Sequence, residues 1–364
     1  MTGRQQKLDF GRRPHLVDLF AGPGGLDVAA RWLGVTADGV EIDDGACATR
    51  RAAGLRTRQA DVRDLGPEDF PDAGILGGGP PCQTYTVAGT GAGRRALDDV
   101  LDLVKRMAAG ENIQARLDTI DDPRTGLVLE PLRWALRAHA LGSPYEAVVL
   151  EQVPAVLPVW EAMLEALGAI GYDAVCGLLR TEQFGVPQTR KRAILIAHRH
   201  RVPALPAPTH RRYQKDVARA EGDENLLPWE TMGEALQRTD QFVVISNYGT
   251  GGDPKARGRR SSEHPAATVT GKISRNRLET PDGRELARFS VQDAGRLQTF
   301  PRDYPWSGRD VSQQIGNAIP PRLAAHVLAA ALGMRIDTEL LNRAVRGSWK
   351  DFDDEIPVIS EPVD

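Results

Sequence analysis

The sequence predicts an α/β fold with a doubly wound, mostly parallel sheet and a smaller second domain. Three observations support this prediction. Apolar, strand-like segments alternate with amphipathic helical segments as far as His198, which is the pattern of a parallel sheet with helices on both faces. The alternation then gives way to prolines and a polar, basic stretch. A chain of 364 residues is also long enough for one large and one small domain.

The predicted strands are short apolar runs, each typical of a buried strand. They cover residues 15–20, 35–40, 57–60, 73–76, 147–150, 175–179 and 193–197. The predicted helices are stretches with helical periodicity, and the first two are followed by glycines, which commonly lie just past a helix end. These helices cover residues 26–33, 44–53, 125–140, 159–170, 291–297 and 322–332.

The domain boundaries follow from this pattern. We expect the first domain at residues 14–198 and its continuation at 291–335. The second domain is expected at 199–290, largely irregular but with short strands such as 242–246. Residues 94–118 are interpreted as a helical insertion in the loop after Cys82, and residues 336–364 as an acidic tail.

Composition is that of a soluble globular protein. Hydrophobic residues make up 41% of the chain and charged residues 26%, and no apolar run approaches the ~20 residues of a membrane span. Residues 1–13 are polar and basic, unlike a signal peptide. Cys47, Cys82 and Cys176 are scattered without a CxxC pair, which argues against a disulfide framework and a zinc site. We therefore expect a cytoplasmic protein without a metal.

Charge is distributed unevenly along the chain. The net charge is −3, which by itself argues against nucleic-acid binding. Residues 199–219, however, contain six Lys and Arg against one acid, and residues 255–288 again have a basic excess. Residues 351–364 contain six acids and no base. The basic middle region is either a solvated surface or a nucleic-acid contact.

Cys82 is the first candidate for chemistry. It follows Pro80 and Pro81, which hold the backbone stiff and extended, and glycines 77–79, which let another molecule approach the main chain. A thiol presented rigidly at the end of a strand is placed as a nucleophile. The alternative for a lone cysteine is a small buried hydrophobe.

Three successive strand ends predict a nucleoside-type cradle. The first strand runs into a glycine turn at residues 18–25 and then into a helix N-terminus. The second strand ends at Glu41, whose carboxylate can accept hydrogen bonds from ribose hydroxyls. The third ends at Asp61, in position to meet the edge of a base. Each acid alone is typical of a solvated strand end, but together they mark one crevice.

Two further segments supply charged candidates. Glu151 follows a strand at the same sheet edge as Cys82 and can act in the same pocket as an acid or hydrogen-bond donor. Alternation predicts that Arg190 and Arg192 share one face, which suits the binding of a base or a phosphate, although a charged edge strand shows the same pattern. Residues 314–321 are interpreted as a loop before the last long helix.

These motifs occur in the order and spacing of cytosine-5 DNA methyltransferases, and the chain resembles that family from about residue 14 to residue 333. The segments that carry the resemblance are 18–25, 80–83, 122–127, 151–153, 188–192, 296–301 and 314–321. The resemblance implies a Rossmann-like fold that binds S-adenosylmethionine, with residues 199–290 as a target-recognition domain.

The resemblance also implies a role for each candidate residue. Cys82 would add as thiolate to C6 of cytosine, Glu151 would bind N3 and the exocyclic amine, and Arg192 with Arg190 would hold the base. C5 would then take the methyl group, and loss of the C5 proton would expel Cys82. The target base would have to be flipped out of the duplex. The cofactor site would be lined by Phe20, Ala21, Gly22, Gly24, Gly25, Leu26, Glu41, Ile42, Asp61, Val62, Pro80, Asn317 and Ala318.

Two departures and several alternatives accompany the resemblance. Gln152 stands where the family usually has Asn, which questions the geometry of the cysteine loop, and the loop between Gly93 and Asp122 is longer than usual. A tRNA substrate and a non-catalytic DNA-binding relative are the alternatives. A nicotinamide oxidoreductase would explain the glycine turn but leaves residues 80–83 and 314–321 without a role. Expected partners are double-stranded DNA and, by analogy, a restriction endonuclease of the same system.

Overall fold

The computed structural model describes residues 14–81, 91–120, 122, 124–247, 257–351 and 359–360, with side chains omitted at 91–95 and 359–360. Its strands, in chain order, are β1 (His15–Leu19), β2 (Thr36–Glu41), β3 (Thr57–Gln59), β4 (Ile75–Gly78), β5 (Ala147–Gln152), β6 (Asp173–Arg180), β7 (Gln188–Thr189), β8 (Lys191–His198), β9 (Val243–Ile245), β10 (Arg259–Ser261), β11 (Ala266–Ala267), β12 (Arg277–Glu279), β13 (Glu285–Leu286), β14 (Arg335–Ile336) and β15 (Ile359–Ser360).

The helices alternate with the strands of the first half of the chain and return near its end. They are α1 (Gly25–Trp32), α2 (Asp44–Ala52), α3 (Gly91–Ala108), α4 (Gln114–Leu117), α5 (Glu130–Ala140), α6 (Leu157–Ala169), α7 (Met232–Leu236), α8 (Val291–Leu297), α9 (Val311–Asn317), α10 (Pro321–Leu332) and α11 (Thr338–Arg346). Residues 125–129 form a 3₁₀ turn that leads into α5, where the sequence predicted one continuous helix.

The main sheet confirms the predicted α/β fold. Its strands lie in the order β3-β2-β1-β4-β5-β8-β6. The pairs β3–β2, β2–β1, β1–β4 and β4–β5 are parallel, whereas β8 is antiparallel to both β5 and β6. The order reverses at β1, and in sheets of this type the crevice beside the reversal point receives the ligand.

Each face of the sheet has its own hydrophobic core, because consecutive strand residues point to opposite faces. On one face Leu16 of β1 packs with α1 and α10, and on the other face Val17 packs with α5 and α6. Helix α3, within the predicted insertion, also belongs to this second core, where Val100 and Leu103 are completely buried. The helical part of the insertion therefore packs as part of the main domain.

A second, antiparallel sheet in the order β10-β9-β12-β13 lies in the region expected to be irregular. Its core contains Phe242, Val244 and Leu278, and it continues into α8 and α9 through Leu297 and Ile315. A separate parallel ladder pairs β7 with β11 and so joins the chain before β8 to this region. Within the part of the chain that the structure describes, no helix is both long and apolar enough to cross a membrane.

Candidate active site

A cavity of about 590 Å³ lies at the carboxyl edge of the parallel strands. It receives the ends of β1, β2, β4 and β5, the turn that follows β3, and the end of α9. Most of the residues predicted to bind a cofactor line it: Phe20, Ala21, Gly22, Gly25, Leu26, Glu41, Ile42, Asp61, Val62, Asn317 and Ala318. The same cavity is also lined by Glu151, Gln152 and Arg192.

Gly24 and Pro80 are not among the described residues that line the cavity, although their neighbours Gly25 and Pro81 are. Gly24 has a φ of 102°, and a Cβ there would lie 2.3 Å from the Leu55 side chain. Gly24 therefore shapes the turn from inside the protein. Pro80 presents its carbonyl oxygen to the side-chain amide of Gln152.

The turn after β1 is held by the carboxylate of Glu41. The main-chain N–H of Gly22 donates to Oε2 at 2.7 Å, and those of Ile42 and Asp43 donate to Oε1 at 2.8 Å each. These bonds fix an acceptor at the crevice and leave lone pairs of Oε2 for a further donor. Phe20, in the same turn, has a φ of 60°, a backbone conformation that costs energy for an aromatic residue and is found where a site requires it.

Asp61 closes the crevice on the side of β3. Arg63 binds its carboxylate through Nη2 at 2.6 Å and through the main-chain N–H at 2.9 Å. These bonds lower the pKa of Asp61, so the side chain is an anionic acceptor at neutral pH. Nearby, Ile42 leaves 62% of its surface exposed, which offers an apolar face to a flat ring. A ribose diol against Glu41 and a base against Ile42 and Asp61 fit this end of the cavity.

Glu151 and Arg192 form the other end of the cavity. The register pairs Glu151 of β5 with Ile194 of β8, so Arg192 lies two residues farther along and on the same face. Arg192 Nε is 2.6 Å from Glu151 Oε1, and both side chains are nearly buried. Burial lowers the pKa of Arg192, and the Glu151 carboxylate opposes that change. The pair forms a buried, charged wall opposite the nucleoside-type cradle.

Gln152 connects this wall to the loop that carries Cys82. Its Nε2 donates to the Pro80 carbonyl, and its Oε1 accepts from the main-chain N–H of Val153 at 2.6 Å. The amide that replaces the family's usual Asn thus reaches the main chain two residues before the cysteine. Cys82 itself lies outside the described residues.

The structure does not bring Arg190 into the cavity, contrary to the expectation that it shares a face with Arg192. Its guanidinium is buried and donates to the carbonyls of Val269, Gly316 and Ala318 at 2.9, 3.0 and 3.3 Å. The reason is a change of strand partner: residues 188–189 pair with β11, and pairing within the main sheet begins at Lys191 beside Arg180. Alternation therefore does not run continuously from Arg190 to Arg192.

The sequence did not lead us to expect that the Asp18 side chain lines the cavity. Asp18 lines the cavity floor, 3% exposed, beside Asp27, whose carboxylate is bound at 2.6 and 2.8 Å by the buried Arg50 guanidinium. Burial and the neighbouring Asp27 raise the pKa of Asp18 well above its usual range. The neighbours of Asp18 on both adjacent strands are glycines, Gly39 and Gly77, a pairing that only the structure reveals.

The end of α9 was also missed as a helix, since residues 314–321 were interpreted as a loop. Gln313 and Gly316 line the cavity together with the predicted Asn317 and Ala318. Gln313 Nε2 donates to Asn317 Oδ1 at 2.7 Å, which orients the asparagine toward the crevice wall. Among the described residues, no cluster of His, Cys, Asp or Glu side chains has the arrangement of a metal site.

Fold and site together define an α/β enzyme with a nucleoside-type crevice that opens into a charged pocket. The chain belongs to the C-5 cytosine-specific DNA methylase family, whose family model matches residues 15–103 and 120–332. It is a DNA (cytosine-5-)-methyltransferase. The residues between the two matched stretches cover the end of α3 and all of α4, within the predicted insertion.

The similarity to related proteins covers most of the length of this chain. Type II methyltransferase M1.HphI of Haemophilus parahaemolyticus is 27% identical over 354 residues, which cover 87% of this chain and 86% of that protein. M.MthTI of Methanothermobacter thermautotrophicus is 24% identical and covers 85% of this chain and 94% of its own length. Among solved structures, S. pombe Dnmt2 methyltransferase superposes with a TM-score of 0.60 at 18% identity, covering 88% and 99% of the two chains. That likeness concerns the fold.

Proposed function

We propose that this enzyme methylates C5 of cytosine within one specific sequence of double-stranded DNA, with S-adenosylmethionine as methyl donor. We further propose that it is the cytoplasmic modification enzyme of a restriction–modification system with a cognate endonuclease. The two relatives described above are Type II methyltransferases, which supports the second part. The observation that carries the first part is the Glu151–Arg192 pair in the same cavity as the Glu41 cradle.

Glu151 and Arg192 are assigned to the flipped cytosine. Glu151 accepts a hydrogen bond from the exocyclic amine and shares a proton with N3, which favours the N3-protonated ring and makes it electron-poor at C6. Arg192 keeps the Glu151 carboxylate in place and holds the base from the neighbouring strand. Because both side chains are already paired and nearly buried, little reorganisation is needed when the base enters.

Cys82 is assigned as the nucleophile. Its thiolate adds to C6, and the electron pair of the C5–C6 double bond makes C5 an enamine carbon that takes the methyl group. Loss of the C5 proton then restores the double bond and expels the thiolate. A base stacked in a duplex is out of reach of this chemistry, so the target cytosine must be extruded into the pocket. Gln152 holds the preceding Pro80 carbonyl and so positions the loop.

The residues around the crevice fit S-adenosylmethionine, which when bound supplies an electrophilic methyl group. Glu41 would accept hydrogen bonds from the ribose diol, and Asp61 from the adenine amino group. Ile42, with its large exposed surface, would pack against the adenine ring. The glycine turn at residues 20–25 would receive the methionine part, because Gly22 places no side chain over it.

Residues 199–290 are proposed to read the DNA sequence. The second sheet supplies a fold for this role, and the basic excess of the region suits contacts to phosphates, which position a protein on DNA. Base-edge contacts from individual side chains of this region would then select the sequence.

Bisulfite sequencing of DNA from cells that express the enzyme tests the proposal, because it reports reaction and sequence together. We expect methylated cytosine in one sequence context, its loss in Cys82→Ser, and its retention in Cys176→Ser, a cysteine on β6 away from the cavity. Absence of methylated DNA in every context would overturn the proposal. Labelling of tRNA instead of DNA by purified enzyme would overturn the assigned substrate.

The cofactor assignment has its own measurement. S-Adenosylhomocysteine should raise the melting temperature of the enzyme in a concentration-dependent manner, because it binds only the folded state. NAD at the same concentrations should have no effect. A shift with NAD alone would point to the oxidoreductase alternative.

A further inference from the structure

Arg190 lies between two parts of the enzyme to which the proposed function assigns different ligands. One part is the recognition segment, residues 266–275, which leads into β12 of the second sheet. The other, here named the cofactor loop, is residues 316–319, the last two residues of α9 and the two that follow, which line the cavity. The guanidinium of Arg190 donates to Val269 in the first and to Gly316 and Ala318 in the second.

The acceptors of this guanidinium, in the described part of the chain, are all main-chain carbonyls. Glu151 is close enough to favour the charged form of Arg190, but none of these hydrogen bonds goes to a carboxylate. A buried cation held in this way depends on the dipoles that face it, since each lost acceptor leaves desolvated charge. Arg190 Nε already lacks a partner, so the guanidinium has no spare acceptor. The recognition segment and the cofactor loop therefore cannot move apart without a cost at Arg190.

A second contact joins the same two parts independently. A Cβ on Gly316 would lie 2.3 Å from the main-chain nitrogen of Gly271, and one on Gly271 would meet Gln313. The backbones of α9 and the recognition segment thus cross at two glycines. Gln188 and Gln298 reinforce this junction between the two parts. The Gln188 side chain accepts from Val269 N–H at 2.9 Å and donates to Gln298 Oε1 at 2.6 Å. The Gln298 side chain donates to the carbonyls of Ile315 and Ala318.

The outer side of the recognition segment faces solvent. Val269 and Ile273 are buried in the core of the second sheet, whereas Lys272 and Arg275 are exposed. Exposed cations on a segment anchored from within are suited to phosphates of a DNA backbone. A DNA duplex that presses on or orders this segment would act directly on the acceptor of Arg190.

We infer that Arg190 is a positioning residue that couples DNA binding at the recognition segment to cofactor binding at the loop 316–319. The inference rests on the proposed function, because it takes S-adenosylmethionine and duplex DNA as the two ligands. Arg190 touches neither ligand. It makes the geometry of the cofactor loop depend on the position of the recognition segment, so that each ligand binds more tightly when the other is present.

The test measures the dissociation constant of S-adenosylhomocysteine with and without a saturating duplex that carries the methylated sequence identified by bisulfite sequencing. The coupling ratio is the dissociation constant without duplex divided by that with duplex. We expect a ratio of about 5 or more in the wild type, the lower range of typical coupling. Arg190→Lys keeps the charge but cannot span three carbonyls, so the ratio should fall to nearly 1. Arg201→Lys is the matched control, because Arg201 also donates to a main-chain carbonyl, that of Ala331, at 2.7 Å but lies away from the junction.

A merely structural role for Arg190 would lower the melting temperature and leave the ratio at its wild-type value, which would overturn the inference. A wild-type ratio of 1 would overturn it as well. Should Arg190→Lys fail to fold or to bind, Gly271→Ala disturbs the same junction from the other side, and an unchanged ratio there is equally decisive. If the wild type methylates no DNA, the proposed function fails. If the wild type methylates DNA but Arg190→Lys and Gly271→Ala both keep the wild-type ratio, only the inferred coupling fails.

Discussion

Arg192 Nε lies 2.6 Å from Glu151 Oε1, across the antiparallel strands β8 and β5. The contact places one acid and one base in a nearly buried wall of the cavity. The two residues therefore act as a unit, and removal of either charge leaves the other buried and uncompensated.

Glu151→Gln should lower single-turnover methylation by about 10²–10⁴-fold, the usual size of a positioned acid–base contribution. The amide keeps the size of the side chain but loses the charge that faces Arg192 and the cytosine ring. Cofactor binding should stay within a few-fold of wild type, since Glu41 and Asp61 are untouched. Glu161→Gln, an exposed change on α6, is the control and should retain full activity. Undiminished methylation by Glu151→Gln would contradict the assignment.

Gln152→Glu should slow the attack of Cys82 on the base, although the two side chains have the same shape. The Pro80 carbonyl accepts a hydrogen bond from the amide of Gln152, and a carboxylate oxygen cannot donate one. Repulsion between the two oxygens should displace the loop before Cys82. Covalent trapping on DNA that contains 5-fluorocytosine measures this, and we expect the adduct to form at least about 10-fold more slowly. Gln152→Asn keeps the donor and should retain more adduct formation than Gln152→Glu. The reverse order would contradict the role of Gln152 as a donor.

Asp18→Asn should reduce the loss of stability that accompanies a rise in pH above about 4. Burial and Asp27 raise the pKa of Asp18, so the folded protein holds a proton that the unfolded chain releases above about pH 4. The stabilising contribution of that proton is complete below this pH and is lost as the pH rises through the folded pKa. Asparagine is neutral at every pH, so the stability of the variant relative to wild type should increase as the pH rises from 5 to 8. Denaturant titrations between pH 5 and 8 measure the difference, with exposed Asp173→Asn as the control; parallel pH profiles of wild type and Asp18→Asn would contradict the prediction.

Much of the main sheet was predictable because its strands are apolar runs separated by helices of ordinary length. That Glu41, Asp61 and Glu151 line one cavity was predictable for the same reason, since parallel strands end at one edge. The second sheet was not predictable as a sheet. Its strands are two or three residues long, and their pairing depends on contacts between segments distant in the chain.

Arg190 shows why motif spacing alone was insufficient. The alternation rule applies only within one continuous strand, and the chain changes partners at this residue because β7 pairs with β11. That pairing joins residues far apart in sequence, and no local pattern indicates it. The helix α9 was missed because Asp310 enters it with a φ of 52° and no side-chain cap, so the usual start signal is absent.

Two glycine-to-alanine changes in helices should change the free energy of unfolding in opposite directions. A Cβ on Gly25, the first residue of α1, would lie 2.3 Å from the Ile319 carbonyl oxygen, so Gly25→Ala must push the helix away from the cofactor loop. We expect a loss of about 1–3 kcal/mol in the free energy of unfolding, together with weaker binding of S-adenosylhomocysteine. Gly168 in α6 has no atom within 4 Å of the position of an added Cβ, and its φ is negative.

Gly168→Ala should therefore stabilise the protein by about 0.5–1 kcal/mol, because alanine restricts the unfolded chain and favours the helix without meeting a neighbour. Denaturant unfolding of both variants measures the two changes in the free energy of unfolding. Calorimetric titration measures the affinity for S-adenosylhomocysteine. Cofactor binding by Gly168→Ala should equal that of wild type, since α6 does not line the cavity. Stabilisation by Gly25→Ala would show that the cofactor loop yields to the helix, and the tight contact between α1 and Ile319 would then not be needed for the site.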